Sequence, residues 1–161
     1  MRILASACLL LVLSAGVAAQ APAPPPQTDR TKATHFKAAD LQAAIAKLST
    51  DRPASSVRVF SLAPYNVNVE RRLPQAQGAS LHESQAELFY VIEGSATMLT
   101  GGTLIAPTRN GANLQGTGIE GGTRNVFSKG DFLMVPSGVP HQFVDITAAV
   151  QVMSMYLPDP K

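Results

Sequence analysis

The sequence predicts an all-β domain, an antiparallel barrel or double sheet, with one short helix ahead of it. Two observations carry this. From Val57 onward, apolar residues recur in alternation or in short runs: VRVFSLA, YNVNVERR, ELFYVIEG, SATMLTGGTLIA, NVFSKGDFLMVP, HQFVDI and AVQVMSMYLP. Glycines, prolines and asparagines separate these runs, which is the pattern of short antiparallel strands joined by tight turns. No Rossmann or phosphate-loop glycine pattern and no internal repeat competes with that reading. Closure into a barrel removes the exposed edges that so many strands would otherwise present.

The chain divides into three parts. Residues 1–19 have a positive start at Arg2, an apolar centre at Leu9–Leu13 and small residues at Val17 and Ala19, the layout of a secretory signal peptide. Its apolar run is shorter than the roughly 20 residues a membrane span needs, so the mature chain is expected to be exported, periplasmic or secreted, without stable membrane insertion. Cys8, the only cysteine, leaves with that segment, so the mature domain has neither disulfide nor thiol chemistry. Residues 20–33 contain APAPPPQTDR, where proline favours extended geometry, and read as a tether. The domain occupies 34–161. With 161 residues and 45% hydrophobic content, the chain is sized for one domain and one core.

Within the domain, ADLQAAIAKLS repeats apolar residues at helical spacing, Leu41, Ile45 and Leu48, and predicts a short helix packed on the outside, with Asp40 a cap or dipole partner. The segment Thr108–Gly122 is glycine-rich and weakly patterned; it reads as a long loop or a pair of irregular strands. Thirteen Lys and Arg against eleven Asp and Glu create no strong field, which argues against nucleic acid or an anionic membrane as partner.

Three residues carry candidate chemistry. His82 and Glu87 lie just ahead of and within the run ELFYVIEG, and His141 follows GDFLMVPSGVP. One His and one Glu in a hairpin are too few for a tight metal site. Two strand-turn-strand units, each delivering a histidine beside a sharp turn, can bring these side chains together inside a small barrel.

On these residues the chain resembles a small single-domain cupin of the conserved-barrel, type 2 kind. The motif G-x5-P-x-G-x2-H-x3-N is met by Gly130, Pro136, Gly138 and His141, with Asp145 where asparagine is usual. The motif G-x5-H-x-H-x3,4-E-x6-G is met by His82, Glu87 and Gly94, with Ser80 in place of the first histidine and Pro74 in place of the first glycine. The resemblance implies a jelly-roll-like barrel holding one divalent metal with three histidines and a glutamate. This chain supplies His82, Glu87 and His141, and Ser80 stands at the fourth ligand position. Such ligand types suit Fe, Mn, Zn or Ni alike. The resemblance also implies dioxygenases, isomerases, decarboxylases and lyases without choosing among them, since a fold does not fix chemistry. A non-catalytic ligand-binding barrel, and a metal-free structural barrel whose His and Glu satisfy one another, stand beside the enzyme reading. Cupins often pair as homodimers, and the apolar C-terminal strand AVQVMSMYL suits that role.

No second catalytic constellation accompanies these ligands, so no catalytic residue is named apart from them. Arg71 and Arg72 end an alternating strand; one of them facing inward suits a substrate carboxylate or phosphate, while a solvated strand end explains them equally. Gln85 suits either ligand contact or turn capping. Phe89, Val91, Phe132, Met134 and Phe143 have spacings that line or pack the barrel, and Phe89 and Phe143 are the candidate substrate contacts among them. Glu120 is a weak lid candidate, and His35 reads as a surface or packing residue.

Overall fold

The alternation from Val57 onward folds as the sequence predicts, in a computed structural model that describes residues 28–159. The expected signal peptide and residues 20–27 of the expected tether lie outside the described residues. From Thr28 the chain already touches the domain. The Thr28 amide donates to the Ser61 carbonyl at 2.8 Å, and the Arg30 guanidinium donates to the Ala63 carbonyl at 2.6 Å.

One helix, α1 (Ala38–Ala46), precedes the strands. Its N-cap, Lys37, makes no side-chain cap bond, and Asp40 sits in the first turn, where its charge faces the positive end of the helix dipole. Leu41, Ile45 and Leu48 pack with Phe36 on Val57, Val59 and Val69, so α1 covers the outside of the barrel as its apolar spacing requires.

The strands are β1 (Ala54–Leu62), β2 (Tyr65–Arg72), β3 (Ala79–His82), β4 (Gln85–Glu93), β5 (Ser95–Thr100), β6 (Thr103–Ile105), β7 (Thr108–Asn110), β8 (Asn113–Gly116), β9 (Gly118–Glu120), β10 (Thr123–Ser128), β11 (Phe132–Val135), β12 (His141–Val144) and β13 (Val150–Pro158). The glycine-rich Thr108–Gly122 segment therefore resolves into short strands rather than one loop. One sheet runs β1-β2-β13-β4-β11, a second runs β10-β5-β12-β3-β8-β7, and the pair β6-β9 forms a third. Every pairing is antiparallel.

The inward faces of the two large sheets meet in an apolar core of Phe89, Val91, Ala96, Met98, Phe127, Val135, Phe143, Val150 and Val152. One expectation needs correction. Phe132 and Met134 are 67% and 52% exposed. In the β11–β4 register they stand opposite Tyr90 and Leu88, whereas Leu133 and Val135 stand opposite the inward-facing Phe89 and Glu87, so strand parity turns Phe132 and Met134 outward. The C-terminal strand β13 lies between β2 and β4, and both of its ladders are occupied. The edge strands of the two large sheets are β1, β11, β10 and β7.

Two motif positions show why the turns need their residues. Gly94 has φ +87°, and a Cβ there would lie 2.9 Å from the Ala149 carbonyl oxygen, so a side chain meets both strain and backbone. Asp145, where asparagine is usual, has φ +55°. Asp and Asn are the non-glycine residues that tolerate this region best, and the substitution preserves the corner.

Candidate metal centre

Strand parity delivers the site. In β3, Ala79 and Leu81 turn outward onto Leu104, Ile119 and Leu114, where β6 and β9 cover them. Ser80 and His82 consequently turn inward. In β4 the same alternation puts Glu87 inward with Phe89 and Val91, all of them buried. His141 opens β12, directly opposite Ser80. The two motifs are also tied through the backbone, because the Gly138 amide donates to the His82 carbonyl at 2.8 Å.

The three side chains converge on one point. Glu87 Oε2 lies 3.1 Å from His82 Nε2 and 3.1 Å from His141 Nε2, and the ligand atoms of all three lie within 4.8 Å of one another. Side-chain exposures of 3% for Glu87, 6% for His141 and 11% for His82 remove most of the water that would screen them. Burial pushes the Glu87 carboxyl up, but hydrogen bonds and charge from His141 and His82 outweigh it and hold the group at about 2. For His82, burial pushes down, while the hydrogen bond and charge of Glu87 push up and prevail, so its pKa lies above the ordinary value.

The donor set fits a cation. His141 Nδ1 lies 3.4 Å from the Val139 carbonyl; a proton on Nδ1 there leaves the Nε2 lone pair directed at a carboxylate oxygen. Two imidazole nitrogens and one carboxylate oxygen facing a single point require positive charge among them, supplied by protons or by a metal. His82 Nδ1 is buried without a geometric hydrogen-bond partner among the described residues, with the Asn113 side chain acting on the same ring.

Tyr156 belongs to this site and was not named from the sequence. It stands opposite Glu87 in the β13–β4 register, and its ring meets His82 edge-on at 4.9 Å and 73°. Burial, then the Glu87 and Glu70 charges, raise its pKa and keep it a neutral donor. The alternation Val150, Val152, Ser154, Tyr156 marks it as one face of a strand, but only the register shows which strand it meets.

The remaining candidates have these places. Ser80 is half-buried, inward and directly opposite His141. Arg71 turns away from the barrel interior: its guanidinium donates to the Leu48 carbonyl, and to that of Ser49 at 2.9 Å, just beyond α1. Arg72 is the inward member of the pair, bonded to Glu70 with its guanidinium carbon 4.6 Å from the Phe143 ring centre. Gln85, opposite Pro158, shares the parity of Glu87 at the start of β4. Phe89 and Phe143 pack edge to face at 5.4 Å, and Phe89 lies 6.1 Å from the His141 ring, so they form a packed wall beneath the cluster. Glu120 is exposed on β9 opposite Thr103, and His35 is exposed.

Solved structures share this architecture. A cupin 2 conserved barrel domain protein from Salinispora arenicola matches with TM-score 0.50 and 20% identity, over 78% of this chain and 90% of that one. The cupin domain of Schizosaccharomyces pombe Cnp3 matches with TM-score 0.52 and 12% identity, over 71% and 72%. HppE in its Fe(II) form matches with TM-score 0.52 and 16% identity, over 68% of this chain and 54% of HppE, so the chain spans about half of that protein. No family model and no curated protein matches the sequence. The molecule is an all-β cupin barrel, and it carries a His82–Glu87–His141 cluster that could hold a metal.

Proposed function

We propose that the domain binds one divalent metal ion inside the barrel through His82, Glu87 and His141 and acts on a small organic molecule at that ion. One observation carries the reading. Three residues from β3, β4 and β12, far apart in sequence, bring their ligand atoms within 4.8 Å of one another in a buried site. Two imidazoles and a carboxylate leave coordination positions open, as catalytic metal sites do. A bound ion there would supply Lewis-acid or redox chemistry. Around it, the Tyr156 ring packs edge-on against His82, while Phe89 and Phe143 exclude water from below. The structural likeness to HppE in its Fe(II) form supports the architecture only, and Fe, Mn, Zn and Ni remain the ions to compare.

The second reading is a metal-free barrel whose cluster is a hydrogen-bonded polar core. The shared 3.1 Å contacts of Glu87 Oε2 with both histidines favour it when the imidazoles carry protons. Export to the periplasm or beyond belongs to this proposal through the reading of residues 1–19. The test is metal content by plasma mass spectrometry on untagged mature protein, with His82→Ala and His141→Ala beside it. Near-stoichiometric metal lost in both variants supports the centre. Protein that takes up none of Fe, Mn, Zn, Ni or Cu leaves only the polar core.

A further inference from the structure

A second polar group lies beside the cluster and bears on what the barrel receives. We propose that Arg72 and Arg52 bind the oxyanion, carboxylate or phosphate, of a small substrate whose other end reaches past Ser80 to the His82–Glu87–His141 centre. This rests on the reading of that centre as a metal site and adds the chemical class of its substrate.

A cavity of about 390 Å³ is lined by Arg52, Arg72, Gln77, Ser80 and Gln115, within the size range of small-molecule sites. Arg72 is held on three sides. Its Nε donates to Glu70 Oε2 at 3.0 Å and its Nη2 donates to the same oxygen, its face lies over Phe143, and Glu70 is itself held by the buried Ser154 hydroxyl at 2.6 Å. Nη1 makes no hydrogen bond among the described residues and is the donor left for the cavity. Arg52 adds a second guanidinium to the same wall. Two positive groups against the single carboxylate of Glu70 leave the wall net positive, and a guanidinium suits an oxyanion by shape as well as charge.

The wall is preorganised by Gln77. Its buried amide nitrogen lies 3.0 Å from each of the Pro53, Leu73 and Gln75 carbonyls, and the Leu73 amide donates to the Pro53 carbonyl at 2.8 Å. Pro53 follows Arg52 and Leu73 follows Arg72, so one side chain ties together the residues after both arginines. Three carbonyls around the nitrogen also fix which way the amide points. Its own oxygen is left buried without a partner, an unsatisfied group retained where the two arginine segments meet.

The spacing sets the ligand's length. Phe143, beneath Arg72, is two residues from His141, ~7 Å along the strand, and Ser80 stands opposite His141 while also lining the cavity. A molecule with an oxyanion at one end and a second oxygen a few carbon atoms away spans the two groups.

Calorimetric titration of succinate, inorganic phosphate and neutral succinamide into metal-free and metal-loaded protein tests this, with metal content assayed in parallel. Succinate or phosphate is expected to bind both forms, succinamide neither, and the tighter of the two anions names the source of the oxyanion. Arg52→Gln, at an exposed residue whose loss does not threaten folding, should weaken binding several-fold. The paired Glu70→Met and Arg72→Met variant, which strands no buried charge, should weaken it by roughly tenfold or more, with metal content unchanged in both. Absence of anion binding, or anion binding that needs metal and ignores both arginine variants, overturns the proposal while leaving the centre intact. Arginine-dependent binding in a protein that takes up no metal sustains the oxyanion site and overturns the centre alone.

Discussion

Along β4 the barrel interior changes character within two pleats, from Glu87 beside His82, His141 and Tyr156 to Val91 among Met98, Phe127, Val150 and Val152. The same strands build both regions. The apolar region is stabilised by area removed from water and by close packing, which depend on volume and little on pH. The polar region is stable only while each buried group has its partner, because one removed partner strands the others. The first region therefore responds to cavities and the second to protons and ions.

Phe127→Ala should have the largest effect on stability, about 3–5 kcal/mol by urea denaturation, since Phe127 is buried against Phe143 at 5.6 Å. Metal content per folded molecule should be unchanged; loss of metal would show that the two regions are one unit. Glu87→Gln should cost the metal-free protein about 1–3 kcal/mol and reduce metal uptake to background.

The pH response separates the regions further. In metal-free protein, Glu87 contributes stability that is present above its ordinary value of 4.5 and lost as pH falls through about 2. His82, with its pKa raised, contributes stability present below 6.5 and lost as pH rises through its folded value. Metal binding needs neutral imidazole, so the stability that metal adds should grow with pH across that same upper window, whereas Phe127→Ala should shift the whole profile uniformly. Melting curves with and without metal from pH 2 to 9 read both limbs. A metal increment independent of pH would remove His82 from the ligand set.

Arg71→Met should cost about 1–2 kcal/mol, because the Leu48 and Ser49 carbonyls lose their donor, without touching metal or anion binding. Smallest is Met134→Ser on the exposed face of β11, expected within ~0.5 kcal/mol; a larger loss, or a change in mass by light scattering, would show that this face is covered by a second copy.

Much of the site was legible because turns are local. Gly130, Pro136 and Gly138 set the corner before His141, and His82 and Glu87 bracket a tight connection with Gly94 closing the strand. The turns follow from backbone preferences of neighbouring residues, whereas His82, Glu87 and His141 were joined into one site by the resemblance of their spacing to the cupin motifs. The helix was legible for the same reason, through the spacing of Leu41, Ile45 and Leu48.

Other features depend on which strands pair and in what register. Arg71 and Arg72 are adjacent in an alternating strand, and a one-residue change of register would exchange their faces; α1 on one side and Ser154 on the other decide that Arg72 is the inward one. Phe132 and Met134 were expected to line or pack the barrel from their strand spacing, but their pairing with Tyr90 and Leu88 turns them out. Tyr156 carries no motif and reaches the centre only because β13 inserts between β2 and β4. The amino-acid sequence by itself determined strands and turns, which rest on local conformational preference, and marked His82, Glu87 and His141 as candidate ligands through the likeness of their spacing to the cupin motifs. Tertiary structure alone decided the company those residues keep, since partners distant in the chain are chosen by register and closure of the sheets.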